Sequence, residues 1–289
     1  MVFILKILSR LPYRVLHGFA AGMAWLMRTL IGYRKTVILQ NLRNSFPDKS
    51  AGEIRRIHRA FMRHFADITV ESIKHFTVSK TDSHRRMVHE NTELFESLYA
   101  QGKSVLIAGG HRNNWELYAL TVDAAIPHKT MAIYKRLSDP KMDEAMRTSR
   151  QRFGLTMVPT REAKSWIAAN VHQPIAVAMG FDQSPADPEK SWWTEFLHQE
   201  TAWYYGLEQL ARQHNMAVVF GHIHKLKRGW YKTTYELVTD SPLECPKGDI
   251  LRGCIDLLEQ DIIESPTEWL WSHKRWKHRR PDDQTLHPR

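Results

Sequence analysis

An α/β fold with a mainly parallel sheet, covered by helices on both faces and preceded by a helical extension, is predicted by three features of the 289-residue sequence. First, short apolar runs that read as buried strands alternate with helical patterns of ten to fifteen residues, as crossover helices joining parallel strands require. Second, these runs end in glycine or polar loops at 109–110, 135–140, 180–185 and 221–225, the ends at which open α/β sheets place their ligands. Third, the ends of the chain differ in charge. Residues 1–90 hold sixteen Lys and Arg against six Asp and Glu, so the whole formal charge of +10 lies in that third. A basic N-terminal third points to an anionic partner: nucleic acid, an acidic carrier protein or an anionic membrane surface.

The elements follow in order. Residues 1–32 are apolar but interrupted by Lys6, Arg10, Arg14, His17 and Arg28, so no run of about 18 uncharged residues exists for a spanning helix. No cleavage site follows a short apolar core, which argues against a removable signal peptide. Val15, Leu16, Phe19, Ala20, Met23, Leu26, Met27, Leu30 and Ile31 recur at helical spacing with Trp25 among them, and Arg14, His17 and Arg28 lie elsewhere on the wheel. This predicts an interfacial membrane anchor over 1–32. A helix then runs through Asn41 and Leu42. A turn at 46–50 leads to a capping box, Ser50 with Glu53, and a helix over 51–75. Strands are expected at 87–89, 104–108, 129–134, 155–159, 174–179, 216–221 and 231–238, the last alternating as an edge strand does. Helices are expected from Trp115 and over 141–152, 161–170, 201–213 and 248–264. No linker interrupts residues 33–280, which read as one domain, and 281–289 read as a flexible tail. Cys245 and Cys254 lack clustered partners and read as reduced thiols.

The chemistry centres on Ser104-Val105-Leu106-Ile107-Ala108-Gly109-Gly110-His111-Arg112-Asn113-Asn114-Trp115-Glu116: a strand, two glycines that allow a sharp turn or close approach, a histidine, and asparagines able to cap a helix. Glu116, one turn into that helix, is in reach of the imidazole. A carboxylate on one ring nitrogen fixes the tautomer and supports the charge that forms when the other takes a proton. The same letters also suit a structural histidine with Glu116 complementing the helix dipole. No Gly-x-Ser-x-Gly elbow or reactive cysteine accompanies them, so the nucleophile is expected to be a hydroxyl of the substrate. Lys135-Arg136, Asp182-Gln183 and the loop from Phe220 to Lys225 end neighbouring strands and can face the same crevice. Gly221-His222-Ile223-His224 has the letters of a metallophosphoesterase motif but lacks its companion motifs in order, so no metal is expected. Nor is a nucleic-acid partner, because the tryptophans form no stacking ladder and no reader motif is present.

Gly110-His111-Arg112-Asn113-Asn114-Trp115-Glu116 resembles the His-x4-Asp/Glu block of lipid acyltransferases, in the Gly-His-x-Gly/Asn-Asn-Trp-Glu form of bacterial lipid A secondary (late) acyltransferases. Gly32-Tyr33-Arg34-Lys35, Phe46-Pro47, Arg63-His64-Phe65-Ala66-Asp67, Tyr134-Lys135-Arg136, Asp182-Gln183 and the segment from Trp269 to Lys277 fall in family order. The resemblance implies a glycerol-phosphate acyltransferase-like α/β sandwich with a membrane-associated extension at the cytosolic face of the bacterial inner membrane. It implies transfer of a fatty acyl group to a hydroxyl of a lipid A precursor or related envelope glycolipid. The cosubstrate would be acyl carrier protein or coenzyme A carrying the acyl group, with no cofactor. His111 would be the general base and Glu116 its orienting group, with Asn114, Arg136, Asp182 and Gln183 binding substrate. The chain departs from the pattern after Phe196-Leu197, where a bulky block, His198 to Gly206, replaces a small, Thr-rich one. The acceptor therefore stays open to lysophospholipids and aminolipids, and a non-catalytic lipid- or carrier-binding homologue is the contrasting reading.

Overall fold

The computed structural model describes residues 2–289, so Met1 of the expected anchor lies outside the described residues. In chain order the elements are α1 (Val2–Leu8), α2 (Tyr13–Thr29), α3 (Lys35–Ser45), α4 (Ala51–Lys74), α5 (Lys80–Arg86), β1 (Met87–His89), α6 (Glu93–Ala100), β2 (Val105–Gly109) and α7 (Trp115–Thr121). They continue with β3 (Lys129–Tyr134), α8 (Pro140–Arg150), β4 (Thr156–Pro159), α9 (Ala163–Asn170), β5 (Ile175–Gly180), β6 (Trp192–Phe196), β7 (Gln199–Trp203), α10 (Gly206–Gln213), β8 (Ala217–Lys227), β9 (Trp230–Thr239), α11 (Asp249–Glu264) and β10 (Leu286–His287).

Among the described residues seven strands form the main sheet, in the order β1-β9-β8-β2-β5-β3-β4, and every neighbouring pair is parallel except β8 and β9. Its two faces follow from the period of two along each strand. Leu106 and Ala108 of β2, Val177 and Met179 of β5 and Val218 and Phe220 of β8 enter one core with α3, α4, α9, α10 and α11. Val105 and Ile107, Ala176, and Ala217 and Val219 enter the other with Phe95 and Leu98 of α6 and Val122 just beyond α7. This is the expected helix-sheet-helix sandwich.

The N-terminal extension is two helices rather than one. Pro12 holds an extended conformation (ψ 148°) before α2, and its ring is incompatible with a helix continuing through it. Leu16, Ala20 and Ala24 of α2 pack on Ala66 and Val70 of α4, leaving Phe3, Ile4, Ile7, Val15, Phe19, Trp25, Leu26, Leu30 and Ile31 exposed. No helix among the described residues is long and apolar enough to cross a membrane. The capping box forms as expected, with Ser50 Oγ accepting from Glu53 N–H and Glu53 reaching back to Ser50 N–H.

Three expectations are corrected. Strand β9 is an edge only in its second half, because β1 pairs with Tyr231, Lys232 and Thr233 along its outer side. The helix placed over 201–213 starts only at Gly206. Residues 199–203 are instead β7, antiparallel to β6 through a turn in which Leu197 and His198 both have positive φ (48° and 63°). Such a two-residue turn is usually signalled by Asn-Gly, and here it is not. The tail is also held: β10 pairs with β6, His287 stacks on Trp192 with ring centroids 3.5 Å apart, and Arg289 meets Asp256 and Glu259.

Helix α11 braces the sheet beside the glycine turn, and its start is fixed by Glu208 of α10. That carboxylate is fully buried and accepts from Gly248 N–H, Leu251 N–H, Tyr205 Oη and Arg212 Nε at 2.8–3.1 Å. It takes up donors that a helix start otherwise leaves unpaired. Glu208→Ala is expected to lower unfolding free energy by about 2–4 kcal/mol, because buried donors and a guanidinium lose a charged acceptor. Urea unfolding checks this; a loss near zero contradicts it.

Candidate active site

Strands β2 and β5 are neighbours, and their registers bring Gly109 opposite Gly180. Two residues beyond each glycine stand His111 and Asp182, so the site forms where two adjacent parallel strands end, as the topology predicts. The glycines are needed there. A Cβ on Gly180 would lie 2.7 Å from His111 Cε1, and one on Gly110 would lie 2.5 Å from Leu258 and 3.3 Å from Asp182 Oδ2. The imidazole thus lies against bare backbone, which only glycine permits.

Asp182, not Glu116, holds the imidazole. Its Oδ1 accepts from His111 Nδ1 at 2.5 Å, and its Oδ2 accepts from His111 N–H at 2.7 Å and from Trp269 Nε1 at 2.8 Å. With Nδ1 protonated toward Asp182, Nε2 carries the free lone pair. Its partner is the Gln183 side-chain amide at 3.2 Å. Burial disfavours charge on both groups, but attraction between them outweighs it. The His111 pKa is therefore raised, and that of Asp182 is lowered to about 2, helped by the hydrogen bonds from His111 and Trp269. Trp115 packs edge-on against the imidazole, with centroids 5.3 Å apart.

Glu116 is engaged elsewhere. Arg150, at the end of α8, grips it with both arms of its fork: Nε to Oε2 at 2.7 Å and Nη2 to Oε1 at 2.6 Å. Such bidentate pairs are geometrically specific. Burial raises the Glu116 pKa, yet Arg150 overrides this and holds the carboxyl below its ordinary value. The five-position offset puts Glu116 near the histidine, but a guanidinium with a matching fork and full charge competes for it successfully.

The other expected residues divide. Arg136 is exposed at a cavity mouth and paired with Glu162 at 2.6 Å, and Gln183 lines the same cavity. Asn114 does not reach it. It is fully buried, its Oδ1 caps the amide of Leu117 at 2.8 Å, and its Nδ2 donates to Glu71 at 2.7 Å. Asp182 too is buried behind the imidazole rather than facing the cavity. His222 and His224 point to partners of their own, Asp261 and Thr234, each at 3.0 Å.

That cavity has a volume of about 890 Å³. Ile107, Ala119, Val122, Leu155 and Met157 line it with hydrocarbon, while His111, Glu116, Lys135, Arg136 and Arg150 bring polar and mostly cationic groups. A site able to take a long apolar group and an anionic head, with a basic nitrogen between, follows from this lining.

Two contributors were missed from sequence. Arg150 lies 34 positions from Glu116, in a helix whose charge pattern is that of any solvated face, so nothing marked it. Trp269 belongs to a conspicuous aromatic segment, but only the fold shows that its indole meets Asp182. That segment also clamps the turn: Leu270 N–H donates to His111 O at 3.1 Å, and Asn113 N–H to Glu268 O at 2.9 Å. Nearby Arg275 is fully buried over the Trp203 ring, 4.2 Å from its centroid. Burial pushes its guanidinium down to about 9 against the opposing charge of Asp182.

Over residues 1–278 the sequence matches the family described as bacterial lipid A biosynthesis acyltransferase. It is 21% identical over 281 residues to the lipid A biosynthesis palmitoleoyltransferase of Escherichia coli (strain K12), covering 96% of this chain and 90% of that relative. The lipid A biosynthesis acyltransferase of Shigella flexneri is similar to the same extent.

The Glu116–Arg150 pair gives a prediction independent of activity. Both side chains are mostly buried (11% and 24% exposed), so Arg150→Met is expected to destabilise the fold by about 2–4 kcal/mol at neutral pH. Because the folded-state pKa of Glu116 is lowered, its contribution is present above the unfolded value of about 4.3 and is lost as pH falls through the folded one. The gap between wild type and variant should therefore shrink in acid, and adding Glu116→Gln should recover most of the neutral-pH loss. Denaturant titrations at two pH values check this; a gap independent of pH contradicts it.

Proposed function

Because the chain belongs to the bacterial lipid A biosynthesis acyltransferase family and is therefore an acyltransferase, we propose that it moves a fatty acyl group from a carrier thioester to a hydroxyl of a lipid A precursor at the cytosolic face of the inner membrane. The observation that carries the reading is His111: its Nδ1 is committed to Asp182, and its Nε2 is left for a cavity that is apolar within and cationic at the mouth.

In this reading Nε2 takes the proton of the acceptor hydroxyl as its oxygen attacks the thioester carbonyl. The tetrahedral intermediate collapses, the carbon–sulfur bond breaks, and the departing thiolate takes the proton back from the imidazolium. Asp182 keeps Nδ1–H in place and supports the transient positive charge. Gln183 lies where the acceptor hydroxyl must approach and yields its hydrogen bond to it. Glu116 fixes the fork of Arg150, so that Arg150, Lys135 and Arg136 meet anionic groups of the two substrates. The acyl chain occupies the hydrocarbon lining between Ala119 and Met157. The donor is acyl carrier protein, an acidic partner suited to this cationic mouth, or coenzyme A. The exposed apolar side chains of α1 and α2 lie in the lipid, and the surplus of basic residues beside them faces anionic headgroups, which supports membrane association without a spanning helix.

Purified enzyme with labelled acyl carrier protein or acyl-coenzyme A, offered hydroxylated acceptors including tetra-acylated lipid A precursor, lysophospholipid and aminolipid, tests this. Transfer to the lipid A precursor is expected; absence of transfer to any hydroxylated lipid sinks the reading. His111→Ala is expected to cut the rate by about 10²–10⁴-fold with the fold intact. Ala119→Phe, which shortens the apolar lining, should turn donor preference toward shorter chains, and an unchanged preference would place the acyl chain elsewhere.

A further inference from the structure

Helix α2 is connected to the catalytic turn by an unbroken run of hydrogen bonds. His17, on the inward side of α2, meets Glu71 Oε1 through Nε2 at 2.8 Å. Glu71, in the last turns of α4, has a side chain only 1% exposed. Its Oε2 accepts from Tyr231 Oη at 2.8 Å and from Asn114 Nδ2 at 2.7 Å. The other end of that amide, Asn114 Oδ1, caps Leu117 N–H and so starts α7. Asn114 stands between His111 and Glu116, so whatever orients it orients the segment that carries both. The tip of the β8–β9 hairpin closes on the same spot. Gly229 has φ +74°, and a Cβ there would lie 3.1 Å from His17 Cε1 and 3.5 Å from Glu71 Oε1. Arg228 beside it donates to His17 O at 2.8 Å and pairs with Asp67.

The arrangement is more than a brace, because of what lies on the two sides of α2. Inward it offers Leu16 and two alanines; outward it exposes Val15, Phe19, Trp25 and Leu26. A helix that buries its small side chains and leaves its large apolar ones open has further apolar surface to bury in lipid, which would add to its seating. The one polar side chain it sends inward to a buried carboxylate is His17. If α2 lifts, Glu71 Oε1 loses its donor and the carboxylate turns to seek another, loosening its hold on Asn114.

We propose that His17 and Glu71 are positioning residues through which the seating of α2 on lipid sets the catalytic turn, so that acyl transfer is faster with the extension engaged on a membrane. The inference rests on the reading of α1 and α2 as the lipid-facing extension. Neither residue touches substrate; both act through Asn114.

The test uses the full chain. Hydrogen exchange of the amides from Glu116 to Leu120 is followed with and without vesicles of mixed zwitterionic and anionic phospholipid. Vesicles are expected to slow exchange there in the wild type and to leave His17→Ala unaffected. With vesicle-borne acceptor, His17→Ala should lower kcat by about tenfold or more while acceptor KM and vesicle binding stay as in wild type. His17→Gln, whose amide can donate to Glu71, should restore most of the rate. Wild-type α7 amides indifferent to vesicles, or a His17→Ala enzyme with unchanged kcat, overturn the proposal. The wild-type comparison needs no variant to fold, and it decides the relay even if no lipid acceptor is acylated, an outcome that would count against the proposed acceptor instead.

Discussion

The carboxylate of Asp182 is the point on which the site is built. A charge this deeply buried is tolerated only where donors replace the water it has lost, and here the donors come from two parts of the chain and meet an acceptor on a third. The imidazole and backbone N–H of His111 bring the end of β2, Trp269 brings the segment after α11, and Asp182 itself extends β5. Satisfying one side chain therefore fixes the relative positions of two strand ends and the C-terminal aromatic segment. The small residues follow from it. Gly180 and Gly110 are where a Cβ would occupy the space of the ring or of its neighbours.

Around that point the site separates two electrostatic tasks that the sequence motif joins. Asp182 governs the tautomer and basicity of His111, while Glu116, five positions from the histidine, organises Arg150. Each carboxylate meets one cation or potential cation, so neither is left buried and unpaired. The raised pKa of His111 has a direct consequence for the proposed general base: in that reading it must be neutral to act, and activity is expected to fall as pH drops through a value above the ordinary imidazole one. The neighbouring cavity brings together an apolar interior and a cationic mouth, the two environments that one amphiphilic substrate needs.

Much of this was legible in the residues. The apolar run ending in two glycines located β2, the strand–helix alternation gave the parallel sheet, and the polar residues after β2, β3 and β5 marked the crevice. What was not legible depended on contacts across elements. The 192–203 hairpin turns at Leu197-His198, which carry none of the usual turn chemistry, so Thr201 to Tyr205 read as the start of a helix. The alternation of β9 suits an edge along its whole length, but β1, three residues long, pairs with its first half. Spacing alone favoured Glu116 as the partner of His111, because proximity in sequence says nothing of a better-matched guanidinium from α8. Asn114 looked available to substrate and is instead a helix cap tied to α4.

The central claim is that Asp182 holds the His111 tautomer and leaves Nε2 as the base. Ring ¹⁵N NMR of selectively labelled enzyme, followed between about pH 5 and 9, measures it directly. The account predicts a His111 midpoint above about 6.5 with the Nδ1–H tautomer dominant beyond it, and a midpoint that drops in Asp182→Asn by more than in Glu116→Gln. A midpoint untouched by Asp182→Asn and lowered by Glu116→Gln would contradict it and return the orienting role to Glu116.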